Sequence, residues 1–558
     1  MDNKFVYLLK KSSAFRFFIF FLLIAFFGGV YILVSNIAVK RPQIADVEPA
    51  VITSGNQIRI RGNNFGQKLD YSWIQIGDTM IQSEFCDYWT NSEIKVEIPE
   101  YKKEGILYVV VQNKKSNPVF ITSASTIPIV KDSISSGEAP LIKTLDKKFA
   151  EVGGLIKISG ENFGNIRGDS QVLFVPSFNV PAISQMEKAE DIEAAVCSEH
   201  DFDFVMWSNE ELQIRVPDGA DSGMLVVITQ NGISNPIEFQ LKNKIGSKTR
   251  LNKKNLNVSV EVAISDVKSE EKNTLFVKVP LPSETYSQNG LKILSITPEP
   301  LAKSYQGLSI HQFNDIEETI RLHIRQEYNL NTYEVSTKIN PVNVRLNSVQ
   351  NSALYSAYTV PTKLIPSDDE IIKKRVGEII QYEKNPYLKA KKIYNYLLDN
   401  IEIIPTSSLN SGTPSVDALL RKKADTYDIA ILFTALARAA GIPAEPIAGI
   451  VADSAQNTFL HWWSEFYLEG FGWVPVDIGM AKNLPFDGGT VEKEKYYFGN
   501  LDALRVVFSR GQSTPVPMTV NSRFSSKERN YSFNEGWEEF AGIKNYNSVW
   551  TVPAIKLQ

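Results

Sequence analysis

The stretch "KKADTYDIAILFTALARAAGIPAEP", residues 422–446, decides how the C-terminal half of this chain reads. Ile429, Leu432, Phe433, Leu436 and Ala440 recur at the spacing of one helix face. Asp425 and Thr426 are both residue types that cap a helix start, because a short side-chain oxygen can accept from a free backbone N–H. Gly441 stands where the backbone past a helix end turns left-handed, and Pro443 blocks any continuation. Three strand-like stretches follow: "PIAGIVAD" (446–453), "HWWSEFYLEG" (461–470) and "GWVPVD" (472–477), the last two joined by a glycine turn. The order is therefore helix, strand, His-bearing strand, Asp-bearing strand.

Working upstream, helix signals begin only after residue 366. "SDDEIIKKRVGEIIQY" (367–382) starts on Ser367 and acidic residues, and "NPYLKAKKIYNYLLDNI" (385–401) places Asn385 at the cap and Pro386 at the first helical position. Residues 256–365 instead alternate with period two, as in "NVSVEVAI", "TLFVKVPL" and "TYEVSTKI", and are expected to form a β-rich domain. Just ahead lies "LKNKIGSKTRLNKKN" (241–255), with six basic residues and no acidic one. A run this short at a domain boundary reads as a solvated linker before a polyanion contact.

The first half contains a repeat. "GNQIRIRGNNFG" (55–66) matches "GGLIKISGENFG" (153–164), "WTNSEIKVEIP" (89–99) matches "WSNEELQIRVP" (207–217), and "SNPVF" (116–120) matches "SNPIE" (234–238). Alternating strands that end in Gly, Asn and Pro turns point to small antiparallel β-sandwiches. The G-x-N-F-G and S-N-P signatures resemble the TIG (IPT) family of immunoglobulin-like domains, with copies over 42–122 and 140–241. The resemblance implies a fold and leaves the role open between spacer and binding module, with spacer ahead.

"FFIFFLLIAFFGGVYILVSNIAV" (17–39) carries no charge over a length sufficient to cross a hydrocarbon core of about 30 Å. Lys4, Lys10, Lys11 and Arg16 precede it, so residues 1–40 are expected to be a cytoplasmic stub and transmembrane signal anchor, with the bulk of the chain extracytoplasmic (periplasmic in a bacterium). A net charge of −4 over 558 residues gives no footprint for nucleic acid. Cys86 and Cys197 lie in different domains and are expected as small buried residues. His200, His311, His323 and His461 lack metal-ligand spacing, so no metal or cofactor is expected.

The C-terminal pattern resembles the transglutaminase-like (papain-related) superfamily. "LFTALARAAGIPAE" matches the helix after that family's nucleophile, "HWWSEFYLEGFGWVPVD" matches its His strand, glycine turn and Asp strand, and "TPSVDALLRKK" matches the segment upstream. The resemblance implies an α+β core over 366–510, with 511–558 as a C-terminal tail. Carried over by position, it makes His461 the imidazole, Asp477 the carboxylate, and Thr426 the occupant of the cysteine position; Asp428 matches and Ala424 replaces a glycine. A thiol there would be favoured as thiolate by the helix N-terminus and an imidazole, whereas a β-branched internal threonine hydroxyl has neither that acidity nor a terminal amine as base.

The expected whole is multidomain: transmembrane helix, two immunoglobulin-like β-sandwiches, a β-rich domain and a transglutaminase-like core. The leading reading is a membrane-anchored envelope protein with a catalytically inactive core that binds extracytoplasmic peptide or protein, or scaffolds. The alternative is an acyl-transfer or amide-hydrolysing enzyme using Thr426, His461 and Asp477. A third reading is a structural spacer whose cleft is filled by the aromatic segment 530–550.

Overall fold

The computed structural model describes residues 41–558 apart from 49–50, 53–56, 69–70, 77–78, 99–104, 113, 118, 124–137, 186–192, 243–244, 347–350, 406–413, 483–491, 514–516 and 520–521. The apolar stretch 17–39 lies outside the described residues. Among the described residues, no helix is long and apolar enough to cross a membrane. The chain divides into two compact units, Met1–Pro128 and Ile129–Gln558.

Within the first unit, one sheet runs in the order Gln43–Glu48, Gln57–Asn63, Glu93–Glu97, Cys86–Trp89. The other runs Val51–Ile52, Val119–Ser123, Gly105–Val111, Ser72–Ile76, Thr79–Gln82. Their inward residues share one core, including Ile58, Ile60, Ile74, Ile94, Leu107 and Val109. Residues 141–241 of the second unit repeat this strand order.

The repeated sequence blocks explain the repetition, because matched residues make matched bonds. In G-x-N-F-G, Asn64 and Asn162 adopt left-handed backbone at φ 63° and 64°, which turns Phe65 and Phe163 into the cores. A Cβ on Gly62 or Gly160 would come within 1.9 or 2.1 Å of the carbonyl oxygen of Gln43 or Leu141, so the neighbouring strand approaches only over glycine. The tryptophan of the second block donates its indole N–H to the Phe65 carbonyl at 2.9 Å, and Trp207 does so to Phe163 at 3.1 Å. The asparagine of S-N-P accepts from Ile44 N at 2.7 Å in one copy and from Ile142 N at 2.8 Å in the other. Cys86 and Cys197 are free and buried, and burial pushes the Cys86 thiol up to about 12.

The second sandwich is followed by a long strand, β1 (Gly246–Pro280), whose first part, Gly246–Ile264, pairs with β2 (Leu322–Ile339). This corrects the linker reading of 241–255. Residues 246–255 are strand, and two of their basic side chains have fixed partners: Lys248 Nζ reaches Asp218 at 2.6 Å and the Trp473 carbonyl at 2.8 Å, while Arg250 Nε donates to the Tyr286 carbonyl at 2.7 Å. Among the described residues the first α-helix, α1 (Ser352–Thr359), also starts earlier than expected, capped by Asn351. Helices α2 (Glu370–Ile380) and α3 (Pro386–Asn400) follow; Asp369 caps the first, and Asn385 with Pro386 opens the second. After α4 (Pro414–Arg421) comes the central helix α5 (Thr426–Ala439).

Helix α5 is buried from Thr426 to Arg438, which is why its apolar stripe widens to almost every position. It ends at Gly441, φ 78°, with Ile442 N closing back on the Ala437 carbonyl at 3.0 Å. One face meets an antiparallel sheet built from β3 (Ala444–Ala452), β4 (Thr458–Leu468), β5 (Gly472–Val476) and β6 (Arg505–Arg510), in the order β5-β4-β3-β6. The last segments, β7 (Glu538–Trp550) and β8 (Ala554–Leu557), return to pair with β1. Residues 511–558 are thus no separate tail. Ile543 and Trp537 belong to the same buried cluster as Val258, Val260 and Leu275 of β1, and that burial fixes the C-terminus in the sheet.

Candidate active site

Strand β4 is covered on both faces. Trp462 and Phe466 join the core shared with α5, while Trp463 joins a separate cluster with Val335, Ile447, Leu501 and Val507. His461 is consequently fully buried, as is Asp477 just beyond β5. The structure brings these two together: His461 Nε2 lies 2.8 Å from Asp477 Oδ2. Asp477 also caps a short helix, α6 (Ile478–Ala481), by accepting from Met480 N at 2.9 Å.

A third group completes the cluster and was not foreseen from the sequence. Arg505 Nη1 donates to Asp477 Oδ2 at 3.0 Å, a second guanidinium N–H reaches Asp502, and the guanidinium lies 4.8 Å from the Trp463 ring centroid. Burial alone would raise the Asp477 carboxyl. The charges of His461 and Arg505 together with the Met480 N–H outweigh it and hold the carboxyl below its usual range. The only sequence signal for Arg505 was a charge at the head of the apolar run "RVVF".

Thr426 is not joined to this pair. It occupies the first position of α5, nearly buried, and no hydrogen bond links its hydroxyl to His461. Nor does it cap the helix. That role belongs to Asp425, whose Oδ1 accepts from Asp428 N at 2.8 Å. The reading of residue 426 as a cap is corrected accordingly: Asp425 has the extended φ of −85° and ψ of −176° that capping needs, and Thr426 is already helical.

The approach to the N-terminus of α5 is occupied by residues 529–533. Arg529 Nε donates to Asp425 Oδ2 and Nη2 to Asp428 Oδ1, both at 2.8 Å, and its guanidinium lies 5.0 Å from the Tyr427 ring. Trp462 Nε1 donates to the Asn530 carbonyl at 3.0 Å, and Phe533 stands 5.5 Å from Tyr427. Desolvation, followed by the nearby Asp425 charge, pushes the Asp428 carboxyl up to about 7 despite Arg529. Asp428 is the aspartate that matches the family pattern; here it faces an arginine. Among the described residues, no group of three or more His, Cys, Asp or Glu side chains could hold a metal ion.

The second sandwich is fastened to this domain by charged groups. His200 Nε2 lies 2.9 Å from Glu445 Oε2, Arg510 Nη2 lies 2.9 Å from Glu445 Oε1 and 3.3 Å from Asp201 Oδ1, and Trp473 Nε1 donates to Asp201 Oδ1 at 2.9 Å. Burial would raise the Glu445 carboxyl; His200, Arg510 and Arg438 outweigh it and keep it low.

Residues 373–478, which span α2 through the start of α6, match the transglutaminase-like superfamily, and residues 42–126 match the IPT/TIG domain. The chain carries a transglutaminase-like domain preceded by a TIG domain. It is 33% identical to an uncharacterized protein of Haemophilus influenzae over 29% of this chain and 52% of that one, so it spans about half the length of that relative. A Cytophaga hutchinsonii structure assigned as a cysteine protease aligns at 18% identity and TM-score 0.36, over 56% of this chain and 100% of that one. The periplasmic domain of TgpA from Pseudomonas aeruginosa aligns at 14% identity and TM-score 0.22, over 40% of this chain and 87% of that one. Likeness at these scores says nothing about activity. What distinguishes the transglutaminase-like domain of this chain is chemical: it keeps the His461–Asp477 hydrogen bond and presents no thiol beside it.

Proposed function

We propose that this chain is a membrane-anchored envelope protein whose transglutaminase-like domain is catalytically inert and serves as a scaffold. The observation that carries this reading is the state of residue 426: a threonine without a hydrogen bond to His461, nearly buried, and covered by residues 529–533. A hydroxyl needs a base in contact to become a nucleophile, and a substrate carbonyl needs an open approach. The lack of a Thr426–His461 hydrogen bond and the segment bonded over the helix start support the inert reading on both counts. The buried ion cluster between the second sandwich and the domain supports scaffolding over a hinged substrate clamp, because it holds the two together at several points. Membrane anchoring rests on the uncharged stretch 17–39 and the basic residues ahead of it.

A second reading has one observation in its favour. The His461–Asp477 hydrogen bond at 2.8 Å is the orientation device an acyl-transfer enzyme would need, with Thr426 as nucleophile. One experiment separates the two. The full-length protein, Thr426→Ala and Thr426→Cys are assayed for amine incorporation, glutamine deamidation and peptide cleavage. The scaffold reading expects no turnover in the parent. Turnover in the parent that Thr426→Ala abolishes would overturn it and establish the threonine enzyme.

A further inference from the structure

We infer that Glu528–Asn530 form a latch over the N-terminus of α5, with Arg529 as its bolt, and that releasing Arg529 opens access to residue 426. The inference concerns access alone and holds whether or not residue 426 ever performs chemistry.

The latch is short and tied at both ends. On one side Lys527 Nζ reaches Ser548 Oγ at 2.6 Å and Glu538 Oε2 at 3.3 Å, which holds it to β7. On the other, Tyr531 is fully buried, its ring 4.7 Å from Phe508 and 5.0 Å from Trp537, and Phe533 is buried against Tyr427. Between these anchors lie three residues. Glu528 has its side chain 69% exposed, with a carboxylate oxygen 3.9 Å from Arg529 Nη1, and Arg529 reaches inward with its side chain 13% exposed. Arg529 does so from a left-handed backbone, φ 51°, a conformation that costs a non-glycine residue energy and persists only where contacts hold it. The contacts on its guanidinium are the two 2.8 Å bonds to Asp425 and Asp428, a longer 3.9 Å pairing with the exposed Glu528 carboxylate, and the Tyr427 ring 5.0 Å away. The Asn530 carbonyl adds one bond, from the Trp462 indole.

The same arrangement explains why two carboxylates can sit buried at one helix end. Asp425 caps the helix and Asp428 occupies its first turn, where the helix dipole favours negative charge. Like charges so close need a shared cation, and the planar fork of Arg529 spans both. Losing that fork removes the force that keeps residue 529 in its strained conformation. The three-residue segment then relaxes outward while Lys527 and Tyr531 stay in place, and the first turn of α5 meets solvent. Such opening is local and needs no rearrangement of the sheet.

The test uses the full-length protein carrying Thr426→Cys, alone and combined with Arg529→Ala or Arg529→Lys. Alkylation by iodoacetamide is followed at residue 426 by peptide mass spectrometry, with buried Cys86 and Cys197 as internal references. With Arg529 present, labelling is expected to be slow; Arg529→Ala is expected to speed it at least about tenfold, as a local opening equilibrium would. Arg529→Lys, which keeps the charge and loses the fork, is expected to fall between. Hydrogen exchange on the same proteins guards against simple unfolding: faster exchange is expected at 426–430 and not along the rest of α5. Equal labelling rates with and without Arg529 would overturn the latch. So would labelling that rises only together with exchange along the whole helix, or at Cys86 and Cys197 as well.

Discussion

Replacing Arg505 by Met tests whether the His461–Asp477 cluster is a buried electrostatic unit. The guanidinium lies 3.0 Å from Asp477 Oδ2, Arg505 is 2% exposed, and Asp477 and His461 are fully buried. Met preserves length and apolar contact with Trp463 while deleting the charge, so the loss reports on Asp477 and Asp502. Removing one partner of a buried pair costs about 3–5 kcal/mol, against about 0.2–1 kcal/mol for an exposed one. The lower end, about 3 kcal/mol, is expected here, because Asp477 keeps His461 and the Met480 N–H. Urea denaturation of the full chain at pH 7, with the slope unchanged, reads this as a lower midpoint. The pH dependence has a definite sign. The Asp477 carboxyl is held low in the fold, so its stabilisation is present above the unfolded carboxyl value of about 3.9 and is lost as pH falls through the folded value. The gap between parent and Arg505→Met should therefore narrow below about pH 4. A loss under about 1 kcal/mol at pH 7, or a gap independent of pH, would refute the reasoning.

Three further outcomes follow from the same geometry. Asp425→Ala should destabilise the chain by at least about 1–2 kcal/mol through the lost cap, while Thr426→Ala should cost less than that; the reverse order in denaturation midpoints would mean that Thr426 caps α5. Asp428, pushed up to about 7, binds its proton more tightly folded than unfolded, so its contribution to stability declines as pH rises from about 4 to 7. Asp428→Asn should remove that decline, and parallel pH–stability curves for parent and variant would exclude it. Arg510→Met should leave Glu445 with one fewer cation and loosen the sandwich contact, seen as faster hydrogen exchange at 198–203; unchanged exchange there would show that the contact does not depend on Arg510.

Much of this molecule is written in local patterns. The G-x-N-F-G blocks specify a left-handed asparagine, a buried phenylalanine and a glycine without room for a Cβ, and those demands are met within a few residues in each copy. Asn385-Pro386 opens α3 and Gly441 closes α5 for equally local reasons, and the positions of His461 and Asp477 follow from their place on neighbouring strands. The basic run 241–255 misled because its composition resembles a linker, whereas its conformation is set by β2, some eighty residues away. Residues 511–558 misled in the same way: β7 and β8 exist because β1 offers them an edge.

The sequence by itself determined a TIG domain ahead of a transglutaminase-like domain, the helix that carries residue 426 and the absence of a cysteine there. Tertiary structure alone decided what surrounds that residue. Arg505 and Arg529 lie 28 and 101 residues from the carboxylates they hold, Asp477 and Asp428. Charges that far apart along a chain leave no periodicity or local signature. Their pairing comes from the tertiary fold, which carries the Arg505 side chain at the start of β6 to Asp477 beyond the end of β5 and residues 528–530 to the start of α5, and only there does residue 426 become a covered position.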